Sequence, residues 1–164
     1  MEAEWFLWAA FGYGLHTVAP YFARGPPPIG VHRANLDELT HSISAQFGWQ
    51  EVDHIRAIWE TTGGMPRPLM DLSVDVWAML MNEAFGFTLE PPFNPYEDGL
   101  KFLLGSYFIP YIGLTGYVGA NPSLTTATAK RLLAGLEGVE SGQDAVIRAY
   151  LYERRNELKR LWRV

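Results

Sequence analysis

Apolar residues recur along this chain at the spacing of helix faces rather than strands. Residues from Glu2 to about Ala19 are apolar nearly all round, which predicts a helix buried on most sides. Pro20 and the Gly25-Pro26-Pro27-Pro28 cluster end it. After Asn35, a suitable N-cap, the residues Leu36, Leu39, Ile43, Phe47, His54 and Ile58 share one helical face as far as about Thr62. Gly63-Gly64 stops that run. Ser73 caps a short predicted helix through Val74, Trp77, Leu80, Met81 and Ala84, and the turn-rich Glu90-Pro91-Pro92-Phe93-Asn94-Pro95 follows. A third long helix is predicted from about Leu100 to Gly119, bent at Pro110, which has no N–H to donate. The last runs from about Thr125 towards Trp162 with the stripe Leu132, Leu136, Val139, Gln143, Ile147, Tyr150, Leu158 and Leu161. There is no strand alternation of useful length and no repeat in the range of about 20–50 residues.

Connection lengths turn these elements into a topology. The first two long helices are joined by a loop of about 15 residues and the last two by about five, with about 37 residues between the pairs. Two helical hairpins joined by one long crossover, here carrying a short helix, is the ferritin-like form of the four-helix bundle. The expected fold is therefore all-α, as one domain over residues 1–164. Gly113, Gly116, Gly135, Gly138 and Gly142 each cost a helix about 1 kcal/mol relative to alanine. They read as points where helix backbones approach closely.

Composition narrows the functional classes. The chain has 164 residues and no cysteine, which excludes disulfides, thiolate metal ligands and a cysteine nucleophile. A net charge of −5 argues against nucleic acid, which is bound through a basic face. Only 19% of residues are charged and 48% are hydrophobic, so more apolar surface is available than a thin amphipathic layer hides. The uncharged run from Phe102 to Ala129 exceeds the roughly 20 residues that cross a bilayer. Its Gly105, Ser106, Pro110, Gly113, Gly116, Asn121 and Pro122 favour a buried core helix over a transmembrane segment. The opening Met1-Glu2-Ala3-Glu4-Trp5 has no basic residue and no N-cap, so it is not a signal peptide and reads as a truncated first helix.

The candidate chemistry lies in polar side chains on apolar faces. Glu51 falls about 60° from the centre of the second helix's stripe and His54 lies on it. Glu140 and Gln143 occupy the apolar side of the last helix in the same way. A buried carboxylate needs a donor, a cation or a metal. Glu-x-x-His on two helices with one Glu from each of the others is the ligand set of di-iron and di-manganese bundles. Here Gln143 stands where the second histidine belongs, and the third long helix has no carboxylate between Leu100 and Ala120. Two arrangements follow: a hydrogen-bonded polar layer without catalytic metal, or a site for one or two metal ions. His16, His32 and His41 share no ligand spacing and read as surface or capping residues. The basic tail, Arg148, Arg154, Arg155, Lys159, Arg160 and Arg163, reads as a solvated face.

Several segments together resemble the plant desiccation-related protein family of the ferritin-like superfamily. They are Glu2-Ala3-Glu4-Trp5-Phe6-Leu7-Trp8, Gly25-Pro26-Pro27-Pro28-Ile29-Gly30, Gln50-Glu51-Val52-Asp53-His54, Gly63-Gly64-Met65-Pro66-Arg67-Pro68, Tyr111 through Pro122, and Arg131 through Arg154 around Gly138-Val139-Glu140-Ser141-Gly142-Gln143-Asp144. The resemblance implies a ferritin-like bundle, a role in water-deficit stress and a secreted, extracellular location. It also implies that Glu51, His54 and Glu140 match iron-binding positions of the superfamily. Glu2 is then the first-helix match, Gln143 the replaced histidine, and the missing third-helix Glu lies near Pro110. The expected function is a stress-associated protein, non-enzymatic with a degenerate di-metal site. The alternative is a ferroxidase-like oxidoreductase using iron or manganese. Homo-oligomerisation is left open.

Overall fold

The computed structural model describes residues 1–157. They form α1 (Glu2–Phe11), α2 (Leu15–Val18), α3 (Glu38–Thr62), α4 (Val74–Phe85), α5 (Gly99–Ala120) and α6 (Ala127–Glu153), with a 3-10 turn at Asn121–Ser123. Among the described residues there is no strand, only an isolated parallel bridge between Ile29 and Asp71. This is the all-α ferritin-like bundle expected. α1 packs against α3 and α5 against α6, and α4 lies in the crossover. Leu158, Leu161, Lys159, Arg160 and Arg163 of the expected stripe and tail lie outside the described residues.

Capping side chains set where the long helices begin. Asp37, not Asn35, starts α3: its Oδ1 accepts from the Thr40 backbone N–H at 3.0 Å and its Oδ2 from the Thr40 hydroxyl at 2.7 Å. Asn35 instead ties the entry loop to the crossover, donating its amide to the Glu97 carbonyl. Asp98 accepts from Leu100 and Lys101 at the start of α5, and Thr126 accepts from Ala129 at the start of α6. α3 ends at Gly63, as its glycine pair predicts, with φ +82° in the left-handed region. The expected single helix from Glu2 to Ala19 is two. Gly12 adopts φ +77° after Phe11, a conformation glycine reaches without steric cost, and the chain turns there into α2.

α1 runs antiparallel to both α3 and α5. Ser44 donates to the Phe6 carbonyl and His41 contacts the Ala10 carbonyl, which registers α1 against α3. Trp5 donates its indole N–H to Ser106 Oγ at 2.9 Å, registering α1 against α5. The Trp5 ring stacks on Phe102 at 5.1 Å and tilts against Trp77 at 4.7 Å, so the core centres on α1, α5 and the crossover helix. The expected stripes hold at their centres and fail at their edges. Phe47, His54, Leu136, Gln143 and Ile147 are buried, whereas Leu39 and Val139 are exposed on the rim.

The α5–α6 hairpin departs from the expectation of a buried core helix. Gly99–Ser123 is long and apolar enough to cross a bilayer by length and composition, and 33% of that window is buried. The buried part is the first half, from Gly99 to Pro110, while Tyr111, Ile112 and Val118 are exposed. The glycines correct the packing reading as well. Only Gly113 is crowded; a side chain at Gly116, Gly135, Gly138 or Gly142 would meet nothing within 4 Å.

Candidate metal centre

The polar side chains of α3 and α6 meet where the antiparallel registers of the bundle coincide. Glu51 and His54 sit one turn apart on α3 and Glu140 faces them from α6, all three buried. Each offers a ligand atom, and the three atoms lie within 4.8 Å of one another. His54 Nδ1 is 3.1 Å from Glu51 Oε1 and 3.6 Å from Glu140 Oε1, close enough to feel both charges although neither contact has hydrogen-bond alignment. Both Glu140 oxygens and His54 Nε2 are likewise buried without a hydrogen-bond partner. Buried carboxylate oxygens are costly unless a donor or a cation meets them.

Around the trio stand residues with distinct jobs. Gln143 donates its amide to Glu51 Oε1 at 2.8 Å and to Gln50 Oε1 at 3.1 Å, which fixes the Glu51 carboxylate. Its own Oε1 is buried and unpartnered, so the position expected for a second histidine supplies an oxygen donor at most. Glu2, on the first turn of α1, stands beside the trio. A Cβ at Gly113 would fall 2.6 Å from Glu2 Oε1 and 3.0 Å from the Glu140 carboxyl carbon. Gly113 is therefore where α5 faces the cluster, one turn beyond the Pro110 position that the resemblance implied. The spacing of i and i+4 puts Tyr117 on the same α5 face, and burial raises its phenol, with Glu2, Glu140 and Glu51 adding to the shift. Sequence reading missed Tyr117 and Gln50, although each lies one helical step from a residue that it singled out.

The electrostatics follow from crowding acids around one base. Burial, then Glu51 and Glu140, push Glu2 up to about 8. Burial alone would lower His54, but Glu140 and Glu51 outweigh it and push the imidazole up to about 10. Burial raises Glu140, partly offset by His54. The metal-free cluster thus holds its charge down by keeping protons.

A second buried acid lies outside the cluster. Glu4, which the sequence offers beside Glu2 as a first-helix carboxylate, instead pairs with Arg67 of the crossover and accepts from the Leu15 backbone N–H. Arg67 also donates to the Pro26 carbonyl at 2.7 Å, so this pair locks the proline loop and crossover onto α1. Its partners are 63 residues apart, a distance at which no local pattern signals pairing.

Comparison with known proteins agrees with the helical bundle. A family model described as a ferritin-like domain matches residues 1–153. The chain belongs to the ferritin-like family. Within it, this ferritin-like chain is 59% identical over 159 residues to ferritin-like catalase Nec2 of Nesocodon mauritianus, covering 96% of the chain and 51% of that protein. It is 54% identical over 155 residues to desiccation-related protein PCC13-62 of Craterostigma plantagineum, covering 94% and 50%. The resemblance to plant desiccation-related ferritin-like proteins is borne out. The chain spans about half the length of both relatives. No solved structure matches it.

The donor set of this ferritin-like chain fits one cation better than two. One imidazole and the carboxylates of Glu51 and Glu140 converge, the His54 nitrogens and Glu140 oxygens without hydrogen-bond partners, a mixture of nitrogen and oxygen donors that suits iron or manganese. For a second ion, α5 brings Gly113 and Tyr117 where a carboxylate would be needed, and the Gln143 amide nitrogen is spent on Glu51 and Gln50.

Proposed function

We propose that this ferritin-like chain is a water-deficit stress protein that binds one iron or manganese ion and disproportionates hydrogen peroxide. The observation that carries the reading is the convergence of Glu51, His54 and Glu140, all buried, with both Glu140 oxygens and both His54 nitrogens lacking a hydrogen-bond partner. The names of its two relatives, a catalase and a desiccation-related protein, support the peroxide substrate and the stress setting. Glu51, His54 and Glu140 would hold the ion, with Glu2 and Gln143 Oε1 as further oxygen donors. A bound redox metal supplies the electron exchange by which two H2O2 become two H2O and O2. The protein's part is positioning and proton handling. Gln143 and Gln50 hold Glu51 in place, and burial keeps bulk water from the trio. In the metal-free protein Glu2, pushed up to about 8, holds a proton beside the centre.

A second reading rests on Gln143 and His54: a protonated imidazole between two carboxylates, with an amide bridging α6 to α3, makes a self-sufficient polar layer in a non-enzymatic scaffold. Elemental analysis after incubation with Fe(II) or Mn(II), with oxygen evolution from peroxide, separates the two. The metal reading expects about one retained equivalent, lost in E140Q, and oxygen release that follows metal content. A wild-type protein that retains no metal and releases no oxygen leaves the scaffold reading standing.

A further inference from the structure

Past Pro110 most of α5 is exposed, and only Gly113, Leu114 and Tyr117 are partly covered. Gly113 marks the side that meets the cluster, since a Cβ there would fall 2.6 Å from Glu2 Oε1 and 3.1 Å from Glu140 Oε1. Tyr117 lies four residues on, on the same side of the helix. A helical side chain leans back over the turn that precedes it, which directs the Tyr117 ring toward Gly113 and the two acids beyond. Glycine at 113 puts no side chain of its own in the way. The acids of the cluster are within electrostatic reach, because Glu2, Glu140 and Glu51 all add to the rise that burial gives the Tyr117 phenol. Tyr107 and Tyr111 of the same helix instead stack on each other at 6.2 Å, and Tyr111 is exposed.

Charge gives that phenol a use. With His54 neutral, the carboxylates of Glu51 and Glu140 balance a divalent ion. A trivalent ion would keep one positive charge uncompensated in a buried site, which is costly until a third anion joins. Resting on the metal reading above, we propose that Tyr117 is that anion: its phenolate oxygen ligates the centre in the trivalent state, as iron(III), and lets go in the divalent state. The phenol proton passes to solvent as the oxygen–metal bond forms, because a bound cation deprotonates a coordinating group that burial otherwise keeps neutral. No electron moves in that step. α5 thereby supplies an oxygen donor where it has no carboxylate, and Tyr117 favours the oxidised ion over the reduced one.

The test loads the protein with iron(III) from its citrate complex at pH 7 and reads visible absorption and resonance Raman scattering. A phenolate on iron(III) gives a visible charge-transfer band and enhanced ring modes that carboxylates and imidazole do not give. The band should be present in the wild type, Y107F and Y111F, and lost in Y117F, or in Y117H should Y117F not fold by circular dichroism. Iron(III) affinity should fall about tenfold in Y117F while Mn(II) affinity stays within about twofold. Bound iron without the band, or a band that survives removal of the Tyr117 hydroxyl, overturns the assignment of Tyr117 and leaves the metal reading standing. A wild type that retains neither iron(III) nor Mn(II) overturns the metal reading, and the assignment falls with it.

Discussion

A cation entering the cluster at pH 7 has protons to displace. His54 is pushed up to about 10 and Glu2 up to about 8. At pH 7 the metal-free imidazole is then charged in all but about one molecule in a thousand, and Glu2 is protonated in about nine of ten. A metal takes only the neutral imidazole, so its binding must release the His54 proton, and that of Glu2 if this carboxylate also ligates. Uptake at pH 7 should release about one proton without Glu2 and about two with it, and affinity should rise about tenfold or a hundredfold per pH unit accordingly. Titration calorimetry with Mn(II) in buffers of different ionisation enthalpy gives the count directly. A second readout comes from stability without metal. Both groups bind protons more tightly folded than unfolded, so stability falls as pH rises from 4.5 through about 8 for Glu2 and from 6.5 through about 10 for His54. Saturating metal should remove that fall. Binding with no proton release, at an affinity flat between pH 6 and 8, refutes the reasoning.

Other perturbations probe the frame that holds the site. R67M strands the Glu4 carboxylate, 2% exposed, and should cost about 3–5 kcal/mol in urea unfolding, with E4L/R67M recovering most of it; a loss below about 1 kcal/mol would show that the pair is not a lock. G113A places a methyl group against Glu2 and Glu140, whose flexible ends can shift, so the melting temperature should hold while metal affinity drops about tenfold, or about 1.4 kcal/mol. D37A removes the α3 cap and should cost about 1 kcal/mol at pH 7 by thermal unfolding. Burial alone would raise Asp37, but its bonds to Thr40 and the Arg154 charge lower it. The D37A deficit should therefore be present above pH 3.8 and shrink below it.

Much of this was legible because helix periodicity alone decides which side chains share a face. Glu51 and His54 on α3, and Glu140 and Gln143 on α6, needed only the i, i+3 rule, and their meeting needed only the hairpin topology. The break at Gly12 was hidden because α1 is apolar on every side, so no stripe marks where its period stops. Leu39 and Val139 were placed inward because a stripe's edge cannot be told from its centre without knowing how many neighbours a helix has. The α6 glycines looked like packing contacts since sequence gives their helix cost but not the open space that they face. Glu4 with Arg67, and α5's Gly113 facing Glu2, depend on segments far apart in the chain.

Crystals grown with manganese, measured at the manganese absorption edge, put the centre to its most direct trial. An anomalous peak within bonding distance of Glu51, His54 and Glu140, absent in crystals of E140Q, is the expected result. No peak there, or one on the protein surface alone, would contradict the account.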